Sequence, residues 1–246
     1  MRNIKLTIEY DGTAYAGWQC QKPRLKTIQQ IMEAVLRRIL QEKIKLAVSG
    51  RTDAGVHAQA QVANFKTGAS LTLEKLQKAL NGLLPGDIAV VRVEEERPGF
   101  HSRFSAKSKV YRYMILNRNY PSALLRKTVY FYPHPLNIRL MQSESKALLG
   151  RHDFSSFQAS GSKVKDSRRT IKGIRVFKEG DLLNIDIEAD GFLYNMVRNI
   201  VGTLIEVGRG RFPRGSLKKI LRLRNRKFAG PTAPARGLCL LKVEFK

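Results

Sequence analysis

The stretch SGRTDAGVHA, residues 49–58, places one carboxylate, Asp53, two residues from Arg51 and beside the small residues Ala54 and Gly55. An aspartate of ordinary pKa is ionised at pH 7 and can act as a nucleophile or as a base. The same pattern is also typical of a plain turn, because Asp is a common turn residue and Gly55 can adopt a positive φ. From this stretch alone, both interpretations stay open.

The charge of the chain indicates a polyanionic partner. The 45 Lys and Arg residues against 20 Asp and Glu give a formal net charge of +25, which makes nucleic acid the first candidate. An anionic membrane is a weaker candidate, because no basic amphipathic helix pattern occurs and no apolar run approaches roughly 18 residues. The basic stretches 208–211 and 222–227 are most simply phosphate contacts. On such a surface an acid repels the ligand unless it has a local purpose, which favours chemistry at Asp53.

Two further stretches supply residue types that suit a nucleic-acid substrate. Lysines, an arginine and aromatic residues interleave over residues 104–113, where strand alternation puts Tyr111 and Arg112 on opposite faces. Tyr111 is either a surface on which an unstacked base can stack or a core residue with a satisfied hydroxyl. Arg198 lies on the mostly apolar helix pattern of residues 192–207. It either grips a carboxylate in bidentate fashion or lies solvated on the polar face.

The sequence lacks the residue patterns of disulfide frameworks, metal sites and nucleotide-cofactor sites. Cys20 and Cys239 make no disulfide framework and have no zinc-ligand spacing, so we expect two free thiols in a reducing cytoplasm. No metal-ligand cluster, zinc deaminase signature, P-loop or dinucleotide fingerprint occurs, and His57 and His101 are isolated. We therefore expect no metal. Residues 1–12 are typical of a strand and not of a secretory signal, which favours a cytoplasmic location.

The elements around Asp53 follow the order β-α-β-β-α-β. Apolar residues at alternate positions predict strands at 3–10, 43–49, 56–65 and 88–93. Apolar residues at steps of three and four predict helices at 28–40 and 72–83. Thr27 and Gln30 form a predicted capping box at the start of the first helix. A slip in alternation near residues 63–65 indicates a bulge. This order is that of the split βαβ, or ferredoxin-like, unit.

The second half of the chain repeats the same order. Strands are predicted at 110–116, 170–177, 182–189 and 238–245, helices at 137–149, 192–207 and 216–223, and a hairpin loop at 178–181. The fold class is therefore α+β, with one ferredoxin-like unit at 1–107 and a second at 108–246. The two join near residues 105–109 and carry inserts at about 117–135 and 150–169.

Residues 50–57 resemble the signature of the tRNA pseudouridine synthase A (TruA) family. Further stretches agree with that family in order and spacing, and together they cover nearly the whole chain: 9–12, 17–19, 84–88, 101–106, 111–113, 154–157, 196–200 and 237–240. The resemblance implies a pseudouridine synthase fold, in which two ferredoxin-like units flank a central cleft.

The resemblance also implies a reaction and its residues. In this family a uridine of the tRNA anticodon arm, around positions 38 to 40, is cut at its N-glycosidic bond and rejoined to ribose through carbon. Asp53 matches the catalytic aspartate and Tyr111 the active-site tyrosine. Arg198 matches the arginine that pairs with the aspartate, and Arg51 an arginine that helps to displace the base. The family needs no metal or organic cofactor and is typically a homodimer, with tRNA and not DNA as its partner.

Several alternatives stay open. Asp53 attacks ribose C1′ or uracil C6, or it acts as a base on the ribose in a glycal route, and the sequence does not choose among them. A non-catalytic basic RNA-binding protein on the same duplicated fold explains the charge and the aromatics and needs no Asp53. A methyltransferase is weaker, because its cofactor fingerprint is absent. The insert at residues 158–169 has no assigned role.

Overall fold

Contacts within the computed structural model divide the chain into two units, and the described residues are 1–19, 25–159, 161 and 166–245. Unit 1 comprises Met1–Lys107 with Cys239–Lys246, and unit 2 comprises Ser108–Leu238. Cys20 and most of the 160–165 segment lie outside the described residues. The division into domains 1–107 and 108–246 stays a prediction.

Unit 1 follows the predicted order of elements. They are β1 (Arg2–Tyr10), α1 (Ile28–Leu40), β2 (Ala47–Val48), β3 (His57–Thr67), α2 (Leu73–Leu83) and β4 (Ile88–Glu96). β1 pairs antiparallel with both β3 and β4, and β2 pairs antiparallel with β3. The resulting order β4-β1-β3-β2 is that of a ferredoxin-like sheet. The last strand, β10 (Leu238–Phe245), runs parallel to the start of β3.

Local sequence explains both helices of unit 1. The Thr27 hydroxyl accepts from the Gln30 N–H, and the Gln30 side chain accepts from the Thr27 N–H at 3.1 Å, so the predicted capping box is confirmed. The apolar residues that α1 buries, Ile28, Met32, Leu36 and Leu40, recur at steps of four and so lie on one face. Thr72 caps α2 by accepting from the Lys75 N–H at 3.3 Å.

Two strand predictions in unit 1 are wrong. β2 covers two residues and not 43–49. The predicted bulge near residues 63–65 is absent, since β3 pairs with β1 in continuous register from Val62 to Thr67, and the irregularity lies between Ile8 and Tyr10. The alternation of β3 breaks because residues 61–65 are all buried, so this part of the strand is covered on both faces.

Unit 2 contains the remaining elements. They are β5 (Ala106–Leu116), β6 (Tyr130–Phe131), α3 (Ile138–Ser145), β7 (Gly150–Asp153), β8 (Arg168–Glu179), β9 (Leu182–Ala189), α4 (Met196–Gly208) and α5 (Ser216–Leu223). β9 pairs antiparallel with β5 and β8, β8 with β7, and β6 runs parallel to β5. Helices and strands thus confirm the α+β class predicted from the sequence.

Several boundaries in unit 2 differ from the predictions. β5 begins at Ala106 and not at 110, and β8 at Arg168 and not at 170. α3 ends at Ser145 and continues as one 3₁₀ turn, and α4 begins at Met196 and not at 192. The hairpin between β8 and β9 needs only Gly180 and Asp181, because Gly180 adopts a φ of 57°. No helix among the described residues is long and apolar enough to span a bilayer.

Candidate active site

Asp53 lies in the loop between β2 and β3 of unit 1. Its side chain is half-buried, Arg51 is exposed, and Thr52 between them is buried. The Val56 N–H donates to the Asp53 carbonyl at 3.1 Å, and Gly55 adopts a φ of 75°. The loop therefore has the turn geometry that its sequence indicates, and Asp53 within it is partly exposed.

A buried hydrogen-bond network holds the backbone on both sides of Asp53. The Tyr10 hydroxyl lies 2.8 Å from the Thr52 hydroxyl, and the Gln61 amide donates to the Gly50 carbonyl at 2.8 Å. The Ser49 hydroxyl donates to the Gln61 side-chain carbonyl at 2.7 Å. Gln61 is fully buried, so its polar atoms must find partners inside the protein. Burial raises the pKa of Tyr10, which keeps its hydroxyl protonated at neutral pH.

Gly17 packs its backbone directly against the Asp53 loop. A Cβ at Gly17 would lie 2.6 Å from the Thr52 carbonyl oxygen and 3.1 Å from the Asp53 carbonyl carbon, and φ is 91°. Both the contact and the dihedral require glycine. The Trp18 N–H then donates to the Thr52 carbonyl at 3.1 Å. The Gly17-Trp18 pair thereby holds the backbone of Thr52 and Asp53 by direct packing and a hydrogen bond.

Tyr15 and Asp87 add a third support that sequence reasoning missed. The Tyr15 carbonyl accepts from the Gly55 N–H at 3.3 Å, and the Tyr15 hydroxyl donates to the Asp87 carboxylate. Burial and the neighbouring Asp87 raise the pKa of Tyr15, so the hydroxyl stays a donor. The Asp11 N–H also donates to the Asp87 carbonyl at 3.0 Å. Asp87 falls in the stretch 84–88, which agrees with the family pattern and was the available signal, whereas Tyr15 lies in none of those stretches.

Tyr111 lies on β5 in unit 2, and its ring is mostly buried. Only 6% of the residue is exposed, and its ring meets Phe192 edge to face at 5.1 Å and 87°. Tyr113, two residues later, is fully buried and donates its hydroxyl to the Pro234 carbonyl at 2.8 Å. This burial is compatible with the core interpretation of Tyr111, and Phe192 holds the ring in one orientation. A role of Tyr111 in binding a base stays a prediction.

Arg198 lies in the first turn of α4 and is half-buried. Its Nε donates to the Ala233 carbonyl and its Nη1 to the Asn195 side-chain oxygen, both at 2.8 Å. The Ala233 N–H returns a bond to the Arg198 carbonyl at 3.1 Å. Asn195 precedes the helix with a φ of 58°. Arg198 is thus not a solvated surface residue, since two fixed acceptors orient its guanidinium.

The chain after α5 lies against the same part of α4. A Cβ at Gly202 would lie 1.7 Å from the Pro231 carbonyl oxygen, so only glycine fits there. The buried Asn199 accepts at its side-chain oxygen from the Thr232 hydroxyl at 2.6 Å and from Arg226 Nη2 at 3.1 Å. This packing anchors the first two turns of α4, which carry Arg198.

Arg226 departs from the phosphate-contact interpretation of residues 222–227. Besides Asn199, its guanidinium donates to the Ala229 carbonyl and to the Thr232 hydroxyl, each at 3.2 Å. A guanidinium with these three partners braces the protein itself. Arg222 and Lys227 are exposed and still fit the surface interpretation.

The predicted site residues divide between the two units. Asp53 and Arg51 share the loop of unit 1, whereas Tyr111 and Arg198 lie on a strand and a helix of unit 2. Within the described ranges, no group of three or more His, Cys, Asp or Glu is arranged to hold a metal ion. The catalytic roles of all four residues remain predictions.

Comparison with known proteins identifies the chain's relatives. The family described as "tRNA pseudouridine synthase" matches residues 6–105 and 145–246, which include Asp53, Arg51 and Arg198 but not Tyr111. The "tRNA pseudouridine synthase A" of Thermoanaerobacter sp. (strain X514) is 46% identical over 245 residues, covering 100% of both chains. That of Acetivibrio thermocellus is 47% identical and "tRNA pseudouridine synthase A 2" of Clostridium perfringens 48% identical, each over 100% of both chains.

Proposed function

The chain belongs to the tRNA pseudouridine synthase family, and from that premise we propose that it converts uridine to pseudouridine in the tRNA anticodon arm, at positions 38 to 40. Membership of the family makes it an isomerase. The N1–C1′ bond breaks and a C5–C1′ bond forms, while C5 loses a proton to solvent and N1 gains one. Atoms and electrons balance within the nucleoside, so the reaction consumes no co-reactant.

The observation that carries the proposal is the rigid support of the Asp53 loop by hydrogen bonds and packing. Its loop is held by the buried Tyr10–Thr52–Gln61 network and by the close packing of Gly17. A carboxylate on such a support keeps one geometry before substrate arrives, as a nucleophile or base requires. A protein that only binds RNA has no need of an acid at this position, where it repels phosphate.

The other three residues take supporting roles. Arg198 pairs with the Asp53 carboxylate, keeps it ionised and aims it, because an adjacent cation favours the charged form. Arg51, exposed on the same loop, fills the space that the extruded base leaves, and extrusion costs a few kcal/mol. Tyr111 receives the base, with its ring oriented by Phe192. Attack falls on C1′ or C6, or the glycal route is followed.

The substrate and setting follow from charge and family. The net charge of +25 suits a folded RNA that is recognised by its shape and phosphates more than by its base edges. We further propose that the protein acts as a homodimer in the cytoplasm and needs no metal or organic cofactor. Sedimentation of the purified protein tests the dimer.

Tritium release tests the function. Purified protein is incubated with a tRNA transcript that carries tritium at uridine C5, since forming the C5–C1′ bond sends that tritium to water. We expect each protein to process many tRNAs, and a transcript with cytidine at positions 38 to 40 to release none. Binding of the labelled transcript without any release favours the non-catalytic RNA-binding protein. Release that persists from the cytidine-substituted transcript contradicts the anticodon-arm assignment.

A further inference from the structure

We propose that Phe104 is a stacking platform for an unpaired base of the tRNA, with Arg103 beside it to bind the neighbouring phosphate. The proposal rests on the proposed function, which takes tRNA as substrate. Phe104 belongs to the 101–106 stretch, to which the mechanism assigns no role. The side chain is exposed to 76%, although a phenylalanine buries its ring wherever the chain allows.

A buried polar network prevents the loop from folding its ring inward. Ser102 is fully buried, and both its N–H and its hydroxyl donate to the Asn64 side-chain oxygen at 2.9 Å. The Asn64 amide donates to the Asn3 side-chain oxygen at 2.9 Å, and the Asn3 amide donates to the Phe100 carbonyl at 3.0 Å. These buried groups tie the loop to β1 and β3, so moving it would leave them unsatisfied.

The turn itself holds Phe104 next to an imidazole and a cation. The Ser105 N–H donates to the His101 carbonyl at 2.8 Å, and the Arg103 N–H donates to His101 Nδ1 at 3.1 Å. The imidazole lies 4.5 Å from the Phe104 ring with an interplanar angle of 38°, and the Arg103 guanidinium carbon lies 5.6 Å from it. An aromatic ring beside a guanidinium on a rigid turn is the arrangement on which bases stack and phosphates bind.

Charge favours RNA over a second copy of this chain as the occupant. Each copy of this chain carries +25, so a second copy would bring more positive charge to the Arg103 side of the ring. A nucleotide supplies a π face and an anion close together. Base stacking also tolerates sequence, which suits a contact outside the reacting uridine.

Binding of an unmodified tRNA transcript, followed by fluorescence anisotropy, tests the platform. Stacking of one base is worth roughly 5- to 150-fold in affinity, and we expect Phe104→Ala to raise the Kd and the KM about tenfold with an unchanged salt slope. Phe104→Trp should bind at least as tightly as the wild type. Leu83→Ala, at another exposed apolar residue of unit 1, is the matched control and should bind normally. A Kd for Phe104→Ala within twofold of the wild type would overturn the proposal.

Fluorescence gives a second, direct readout. Trp18 is fully buried, so subtracting the wild-type signal isolates the indole of the Phe104→Trp variant. Stacking on a base should quench that emission when tRNA binds, and unchanged emission contradicts the platform. If Phe104→Ala changes the sedimentation of the free protein, the ring belongs to a protein interface and the proposal fails.

The two proposals fail in different ways. A wild type that binds tRNA without tritium release, and binds it less tightly after Phe104→Ala, refutes the proposed function and keeps the platform. A wild type that turns over normally, with Phe104→Ala equal to it in Kd and KM, refutes only the platform.

Discussion

Replacing Gly17 with alanine tests whether backbone packing positions Asp53. The new Cβ would lie 2.6 Å from the Thr52 carbonyl oxygen, a backbone atom that can move only with the loop. The φ of 91° adds strain of about 1–3 kcal/mol for a residue with a side chain, which for a chain of this size lowers the Tm by roughly 2–12 °C. A displacement of about 1 Å in a catalytic group costs on the order of 100-fold in rate. We therefore expect kcat in tritium release to fall about 100-fold.

The same change elsewhere provides the control. Gly82→Ala, in α2, meets nothing within 4 Å and should keep its activity with an equal or higher Tm. The tRNA Kd of Gly17→Ala should stay near that of the wild type, because the exposed basic residues proposed to contact phosphate, such as Arg222 and Lys227, are unchanged. If Gly17→Ala loses stability but keeps its kcat, close packing of the loop is not what positions the carboxylate, and the reasoning is wrong.

Two further changes separate structural from binding roles. Arg226→Ala should lower the Tm and kcat and leave the salt dependence of tRNA binding unchanged, because its guanidinium bonds to Asn199 and Thr232. Arg222→Ala, at the surface, should instead reduce the slope of log affinity against log salt concentration by about one. Equal slopes for Arg222→Ala and the wild type would count against a phosphate contact at Arg222. Burial alone would raise the pKa of Asp153, but hydrogen bonds from Ser167 and Ser155 and the charge of Arg224 outweigh it and lower the pKa. The ionised carboxylate therefore stabilises the fold above about pH 4, and this contribution is lost as the pH falls below that value. Asp153→Asn should make the free energy of unfolding, measured in urea, fall less steeply between neutral and acidic pH. An unchanged pH dependence would show that the carboxylate contributes nothing.

Local signals predicted the fold where structure is set by nearby residues. The capping box at Thr27 and the apolar stripe of α1 specify that helix without long-range information, and the order β-α-β-β-α-β followed from such elements. The prediction of a bulge near residues 63–65 was wrong because the alternation of β3 breaks for another reason. This part of the strand is buried on both faces, and that burial depends on what packs above and below it. The predicted strand at 43–49 was too long, because the apolar residues at 44 and 46 are buried without pairing to another strand.

The candidate site was partly accessible from the sequence. The residue types and their spacing around Asp53 indicated a catalytic role, but the residues that hold the loop come from distant segments of the chain. Gln61 looks like a polar residue in an ordinary strand, and only the structure shows it fully buried between Ser49, Gly50 and Tyr10. Arg226 likewise belongs to a basic run in the sequence, and its partner Asn199 lies 27 positions away.

The most direct test of the central claim is single-turnover tritium release by Asp53→Asn at saturating tRNA. The substitution keeps the size of the side chain and removes the charge that a nucleophile or base needs. We expect no release above the rate without protein, with the tRNA Kd within a few fold of the wild type. Release within about tenfold of the wild-type rate would contradict it, because an amide cannot replace the carboxylate in either role.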